Sequence, residues 1–468
     1  MPSFVTASCQ TAQPNHALRA DPRLPFVEMA WSPSKMGEFF NSSVLPPVWP
    51  GQKVTAVAIE DIAYRAGKRC EILYALQFAN PAPGQPRWAV VTFAREHKLW
   101  EIYRCCYGGD GSASPRPTPC PVVLLPESRC LVEFFPMDWG LPGLIQATDP
   151  ELMAPLLSQV DLDGDHVSSH QLLKIEMVQY RLHTKRCVLR YVLDSPASGG
   201  PKEVIGKVFA SESMAVEAAH TLNLLYPQAT ACGLIIPKPL GVVKEGSLLL
   251  IERLPGTVLN PVEEQAKASE HYREVVGLAA ATLASLHRLQ FESQEVQSLQ
   301  TLVEKLRERA ALLQLVAPLL AQEVETLLQQ IVQLGAQCTA VAHSFIHADF
   351  SPDQLLMDKG QMAVIDFDLA CLGDPALDVG NFMAILHYLA VCQARNAFRQ
   401  LAAYFLSKYQ ARLPEHGVAD RIHLFLSAAL VRRALREFEM RPYDYDQAGP
   451  DSLPVRLLQE AAACLARR

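Results

Sequence analysis

Forty residues in the last third of the chain hold most of its chemically expressive side chains. From His343 to Phe382 they read HSFIHADFSPDQLLMDKGQMAVIDFDLACLGDPALDVGNF. Asp349 follows Ile346-His347-Ala348, and Asp366 closes the run Met362–Ile365 seventeen positions later. The apolar pieces Phe345-Ile346, Leu355–Met357 and Met362–Ile365 read as short strands bracketing loops. Two carboxylates held at the ends of paired strands can converge on one point. There one can accept a proton from an attacking hydroxyl, and the other can ligate a hard cation.

The rest of the chain must position that island. Its 468 residues correspond to about three compact units at ~150 residues each. With 49% hydrophobic and 19% charged residues there is ample material for a core, and disorder by composition is excluded. The net charge of −7 argues against a protein built to hold nucleic acid or an anionic membrane, because both need clustered positive charge. The opening stretch MPSFVTASCQTAQPNHAL has neither a charged nor an apolar segment of the secretory kind, and no apolar run reaches the length of a membrane span. Twelve scattered cysteines form no CxxC pair, so reduced thiols and a cytoplasmic location are expected. Cys105-Cys106 is expected on a strand or loop as free thiols.

Strand patterns come first along the chain, and they come twice. After a Pro-rich opening with one short helix near Pro33–Phe40, the segment YRAGKRCEILYAL (64–76) is followed by WAVVTFA. Later YRLHTKRCVLRYVL (180–193) is followed by EVIGKVFA, with one extra residue in the second hairpin. Shared Tyr-Arg, Lys-Arg-Cys and Phe-Ala at matching offsets point to duplication of a β-hairpin unit. The second copy carries Lys207 where the first has Val91. From about Asn260 the pattern becomes helical: Val324, Leu327, Leu328 and Ile331 fall on one face. Pro318 interrupts the helical pattern before them. Further helices are expected at 381–410 and 418–440.

On these residues the chain resembles the aminoglycoside phosphotransferase and choline kinase group. The group's pattern is H-x-D-x-x-x-x-N, then I-D, then G-D-P-x-x-D. His347-Ala348-Asp349, Ile365-Asp366, and Gly373-Asp374-Pro375 with Asp378 match it. Upstream, VIGKVF resembles the strand bearing the ATP-contacting lysine, and LLLIERLPG (248–256) resembles the hinge strand. LAAATLASLHRL (278–289) resembles the group's first helix after the hinge. The resemblance covers roughly 170–440.

What the resemblance implies is an α+β, bilobal protein-kinase-like fold, with an antiparallel-sheet N-lobe and a mostly helical C-lobe. An extra N-terminal α+β unit, a degenerate N-lobe-like repeat, would occupy 1–160. The N-lobe would occupy 161–256 and the helical C-lobe 257–468. The implied activity is an ATP- and Mg2+-dependent kinase acting on a hydroxyl of an aminoglycoside, amino-alcohol, sugar or related metabolite. Asp349 would be the base, with Asp366 and Gln354 on Mg2+. Lys207, paired with Glu217, would hold the phosphates, and Glu252 and Leu254 would offer backbone groups to adenine. Asp378 would brace the catalytic loop, with His347 a structural loop residue. No nucleic-acid or membrane partner is implied, and the sequence leaves the oligomeric state open.

Two departures support a second reading, a kinase-like binding module that has lost turnover. The group's Asn is Gln354 here, whose extra methylene displaces the amide oxygen by about a bond length at a metal with strict geometry. The hairpin that would cover the phosphates, YRLHTKRC, has no glycine, so its backbone cannot approach them closely. Lys185 or Arg186 would have to act through side-chain charge, unless they are a solvated hairpin tip. Other motifs fall away. DLDGD (161–165) lacks the Gly and Glu positions of a calcium loop, and GGDGS (108–112) lacks the Lys-Ser/Thr of a P-loop. His343 and His347 sit in a strand-like stretch without H-E-x-x-H. The acids Glu437, Glu439, Asp444, Asp446 and Asp451 form a late acidic patch, either a solvated face or an attraction for a cationic substrate.

Overall fold

The computed structural model describes residues 21–82, 85–108, 120–158, 171–194, 201–259, 269–292, 296–339, 341–440 and 451–466. They fall into two compact units. One is drawn from Met1–Val216, Leu240–Ile251 and Glu439–Ala448, the other from Glu217–Pro239, Glu252–Phe438 and Gly449–Arg468. The segments DLDGD and most of YGGDGSASPRPTPCP, with Asp444 and Asp446, lie outside the described residues.

Two sheets of like design dominate the first unit. Short helices α1 (Val27–Ala30) and α2 (Pro33–Phe39) precede β1 (Val54–Arg65), β2 (Arg69–Phe78) and β3 (Trp88–Ala94). Then come α3 (Glu96–Cys106), β4 (Val122–Leu125), β5 (Cys130–Phe134), α4 (Leu144–Thr148) and α5 (Pro150–Leu157). The second series is β6 (Gln171–Arg181), β7 (Arg186–Asp194), β8 (Lys202–Phe209), α6 (Glu212–Ala231), β9 (Pro239–Val243) and β10 (Leu248–Glu252). The sheet orders are β1-β2-β3-β5-β4 and β6-β7-β8-β10-β9, strand for strand the same. Register agrees at the hairpins: Tyr64 faces Cys70 and Arg65 faces Arg69, while Tyr180 faces Cys187 and Arg181 faces Arg186. The extra residue of the second hairpin lies in its turn. Cys105 and Cys106 end helix α3, not a strand or loop. Leu99, Ile102 and Cys106 stand at i, i+3 and i+7, a helical stripe that the vicinal cysteines had masked.

The two sheets share one apolar core. Leu73 and Val90 of the first sheet and Leu144, Met153 and Leu157 of α4 and α5 pack with Tyr180, Leu189, Tyr191, Val204 and Leu248 of the second. Packing is tight where Gly143 meets the turn before β10: a Cβ there would stand 1.9 Å from the Gly246 carbonyl oxygen, so only glycine fits.

Polar ties join the same parts. The Leu182 N–H donates to Asp61 Oδ2 at 2.8 Å, and the Tyr191 hydroxyl to the Ala147 carbonyl at 2.8 Å. Lys185 Nζ donates to Glu71 Oε1 at 2.7 Å, stands 3.8 Å from Asp138 Oδ1 and lies over the Trp139 ring. Lys185 is therefore neither a solvated tip nor a charge held out for phosphate. Burial works against its ammonium, but Asp138 and Glu71 outweigh that and hold its pKa above the usual lysine value. Nearby Glu133 accepts from the Tyr107 hydroxyl and from the Trp139 N–H at 2.7 Å. Burial, with Asp138 repelling it, pushes Glu133 up to about 8.

Helices make up most of the second unit. In chain order most of α6, from Glu217 on, comes first, then β11 (Thr257–Val258), α7 (Ser269–Leu286), β12 (Val296–Gln297), α8 (Leu299–Val316) and α9 (Pro318–Gly335). The short strands β13 (Ser344–Ile346), β14 (Leu355–Asp358), β15 (Gln361–Val364) and β16 (Cys371–Gly373) follow. They lead into α10 (Ala376–Gln393), α11 (Ala397–Gln410), α12 (Ile422–Met440) and α13 (Leu453–Ala466). Pro318 opens α9, where its missing N–H costs nothing. The stretch expected as one helix at 381–410 is two, because Ala394 turns left-handed at φ +52°. Helix α10 is buried along almost its whole length, and its Phe382 stacks on Phe405 of α11 at 4.1 Å. Among the described residues no helix is long and apolar enough to cross a membrane, and eleven cysteines are free thiols.

Candidate active site

The two acids singled out above leave two small ladders. Strand β13 pairs antiparallel with β16, and Asp349 lies three residues past its end. Strands β14 and β15 pair with Leu355 facing Val364. The Ile365 N–H extends that ladder by donating to the Gln354 carbonyl at 3.0 Å. Gln354 and Asp366 thus stand at one end of the same two-stranded ribbon.

A single imidazole joins the two loops. His347 is fully buried. Its Nε2 lies 2.8 Å from the Ile365 carbonyl, which can only accept, so Nε2 carries the proton. Nδ1 is then free to accept from the Asp349 N–H at 3.4 Å. The backbone at both acid positions is therefore hung on one ring. Residues on either side are held in the left-handed region, Ala348 at φ +63° and Asp366 at φ +68°. Such backbone costs on the order of 1 kcal/mol or more for a side-chain-bearing residue and marks positions fixed by their surroundings.

Below the loop, Asp378 of α10 is fully buried. It accepts from the His347 N–H at 2.7 Å and pairs with His287 Nε2 at 3.1 Å. His287 Nδ1 meets the Tyr409 hydroxyl at 2.7 Å, which meets His416 Nδ1 at 2.8 Å. Asp374 is tied by Arg421 Nε at 2.6 Å and caps the Ala376 N–H at 2.9 Å.

Two residues of this site carried no recognised signal. Asn381 stands one turn after Asp378 and donates through Nδ2 to the Ala348 carbonyl at 3.1 Å. Arg432 of α12 reaches Asn381 Oδ1 at 3.1 Å and Asp349 Oδ1 at 3.4 Å, both through Nη2. Gly380 makes that approach feasible, since a Cβ there would lie 2.9 Å from the Leu426 backbone of α12. Burial, with Arg433 and Arg309 nearby, pushes the Arg432 pKa down while Asp349 pulls it back. The side chains of Arg432 and Asp349 remain 28% and 33% exposed, so both reach solvent.

The remaining candidates lie as follows. Lys207 belongs to the first unit and is buried in β8 facing Val188. The adjacent Gly206 has no room for a side chain, because a Cβ would meet the Tyr191 ring at 2.5 Å. Val91 is fully buried in β3, the corresponding strand. Glu217 is exposed on α6. At the hinge stretch, the Glu252 N–H donates to the Lys238 carbonyl at 2.9 Å, and the Leu254 carbonyl accepts from the Arg253 guanidinium. Gln354 and Asp366 are half-buried, a neutral amide oxygen and a carboxylate. Hard oxygen donors of this kind fit Mg2+, which favours few protein ligands.

The family model described as the phosphotransferase enzyme family matches residues 179–416, a little over half of the chain. No curated protein matches. Solved structures similar to this chain include choline kinase from Cryptosporidium parvum, at 14% identity and TM-score 0.48, covering 67% of this chain and 96% of that one. Plasmodium vivax ethanolamine kinase is similar at 14% identity and TM-score 0.40, covering 65% and 83%. The ADP-bound aminoglycoside phosphotransferase APH(2'')-Ib is similar at 16% identity and TM-score 0.40, covering 63% and 95%.

Proposed function

This chain belongs to the phosphotransferase enzyme family, and from that premise we propose that it moves the γ-phosphoryl group of ATP to a hydroxyl of a small molecule. Aminoglycosides, amino-alcohols, sugars and related metabolites are the acceptors in view. The observation that supports this reading best is the His347 ring, which ties the Asp349 loop to the Asp366 loop.

Asp349 acts as base. It takes the acceptor's proton as the new oxygen–phosphorus bond forms, and the bond from the γ-phosphorus to its bridging oxygen breaks, its electron pair leaving with ADP. Asp366 and Gln354 would hold Mg2+, which when bound neutralises phosphate charge. His347, Asp378 and Asn381 keep the loop from yielding while the proton moves. Lys207, with Glu217 as its partner, serves the phosphates. The Glu252 carbonyl and the Leu254 N–H serve adenine, their complementary backbone groups being already engaged by Lys238 and Arg253.

Positioned bases contribute roughly 10²–10⁴-fold. Asp349→Asn is therefore expected to cut Mg2+-dependent phosphoryl transfer about a hundredfold or more while ATP still raises the melting temperature. A second reading, a nucleotide-binding module without turnover, draws support from Gln354 and from the sequestered Lys185. ATP binding with no transfer to any hydroxyl acceptor would decide for it.

A further inference from the structure

The side chains around Asp349 narrow the acceptor, an inference that rests on the transfer reading above. Arg432 Nη2 stands 3.4 Å from the proposed base. It is one of three guanidinium groups within five residues of α12, with Arg433 and Arg436. Arg432 and Arg436 lie one turn apart on the same face. Arg309, from α8, is close enough to bear on Arg432 electrostatically. Arg433 lies over the Tyr388 ring. The acid of this stretch that sequence reading offered to a cationic substrate, Glu437, is engaged by the Tyr388 hydroxyl at 3.1 Å. The second acid of that patch within the described part of the helix, Glu439, is buried. Among the described residues of α12, the charged group that stands beside the proposed base is therefore a guanidinium, while the helix's late acids are engaged or buried.

We infer that the acceptor is an anion, a hydroxyl compound bearing a carboxylate or a phosphate that Arg432 grips while the hydroxyl meets Asp349. A guanidinium presents a planar fork of donors matched to either oxyanion, and it stays charged at any working pH. It disfavours the cationic acceptors among those in view, since an ammonium brought to Asp349 would sit against Arg432. The partial exposure of both side chains leaves the pair accessible to a ligand. When the anion binds, Arg432 can turn from Asp349 to the ligand and release the carboxylate to accept the proton. The reaction balance is unchanged: the acceptor loses one proton to Asp349 and gains the phosphoryl group, and ADP leaves.

The test is calorimetric binding without nucleotide, so that a failure of turnover speaks only to the transfer reading. The probes share one three-carbon frame: glycerate, glycerol phosphate, glycerol and serinol. They separate carboxylate, phosphate, neutral and cationic acceptors. Expected is binding of glycerate or glycerol phosphate at least about tenfold tighter than glycerol or serinol, weakened about tenfold or more in Arg432→Gln. Arg432→Lys keeps the charge but loses the fork, and is expected to weaken binding about fivefold. It serves as the test should Arg432→Gln fail to fold. Tighter binding of serinol, anion affinity indifferent to both substitutions, or no bound anion overturns the inference.

Discussion

At the scale of single residues, the site depends on groups that hold rather than react. His347→Ala would leave the Ile365 carbonyl, the Asp349 N–H and a buried void without their partner. Unsatisfied buried groups cost about 1–3 kcal/mol each, so a stability loss of at least ~2 kcal/mol by urea denaturation is expected, with transfer lost more steeply than nucleotide binding. Gln354→Asn shortens the amide by one methylene. If Gln354 is a metal ligand, the variant should need less Mg2+ for half-maximal transfer; an unchanged Mg2+ dependence would remove Gln354 from the metal site. The two acids were legible because each sits in a loop that follows a short apolar run and their loops are near in sequence. Arg432 was not, because a helical arginine reads as solvated surface until the chain folds it back onto a loop far upstream.

At the scale of elements, the β6–β7 hairpin owes its position to the first sheet. Its tip is gripped at Leu182 by Asp61 and at Lys185 by Glu71. Lys185→Met would remove the cation shared by Glu71 and Asp138, leaving Glu71 to Arg69 and Asp138 to the Tyr180 hydroxyl. Breaking a buried pair from one side costs about 3–5 kcal/mol, so a clear drop in unfolding midpoint is expected; no change would show the tip to be unimportant for stability. The same region should set a pH dependence. Glu133 has a folded-state pKa of about 8, above its unfolded value near 4.5. The folded state therefore binds the extra proton. Stability from this group is fully present below pH 4.5, declines as pH rises, and is lost above about 8. Glu133→Gln should flatten the decline, measured as melting temperature between pH 5 and 9. None of this could be read from the hairpin itself, since YRLHTKRC has the same polar sequence docked or solvated.

At the scale of the whole molecule, the repeat was legible because Tyr, Arg and Cys recur at matching offsets, and those residues face one another in both hairpins. The structure adds which residues the two sheets bury in a common core. A chain beginning at Gln171 would expose Tyr180, Leu189, Tyr191 and Leu248, each worth ~1.5–3 kcal/mol when buried. It is expected to be insoluble on expression, whereas a soluble, cooperatively melting fragment would show the second sheet to be self-sufficient. The free thiols described above supply a clock for such experiments. Cys105, Cys232 and Cys392 are open to a maleimide from the start, while Cys70, Cys130 and Cys187 are sealed in the first unit and Cys371 and Cys464 in the second. Counting labels against time by mass spectrometry would therefore report which half of the chain breathes first, with no engineered probe.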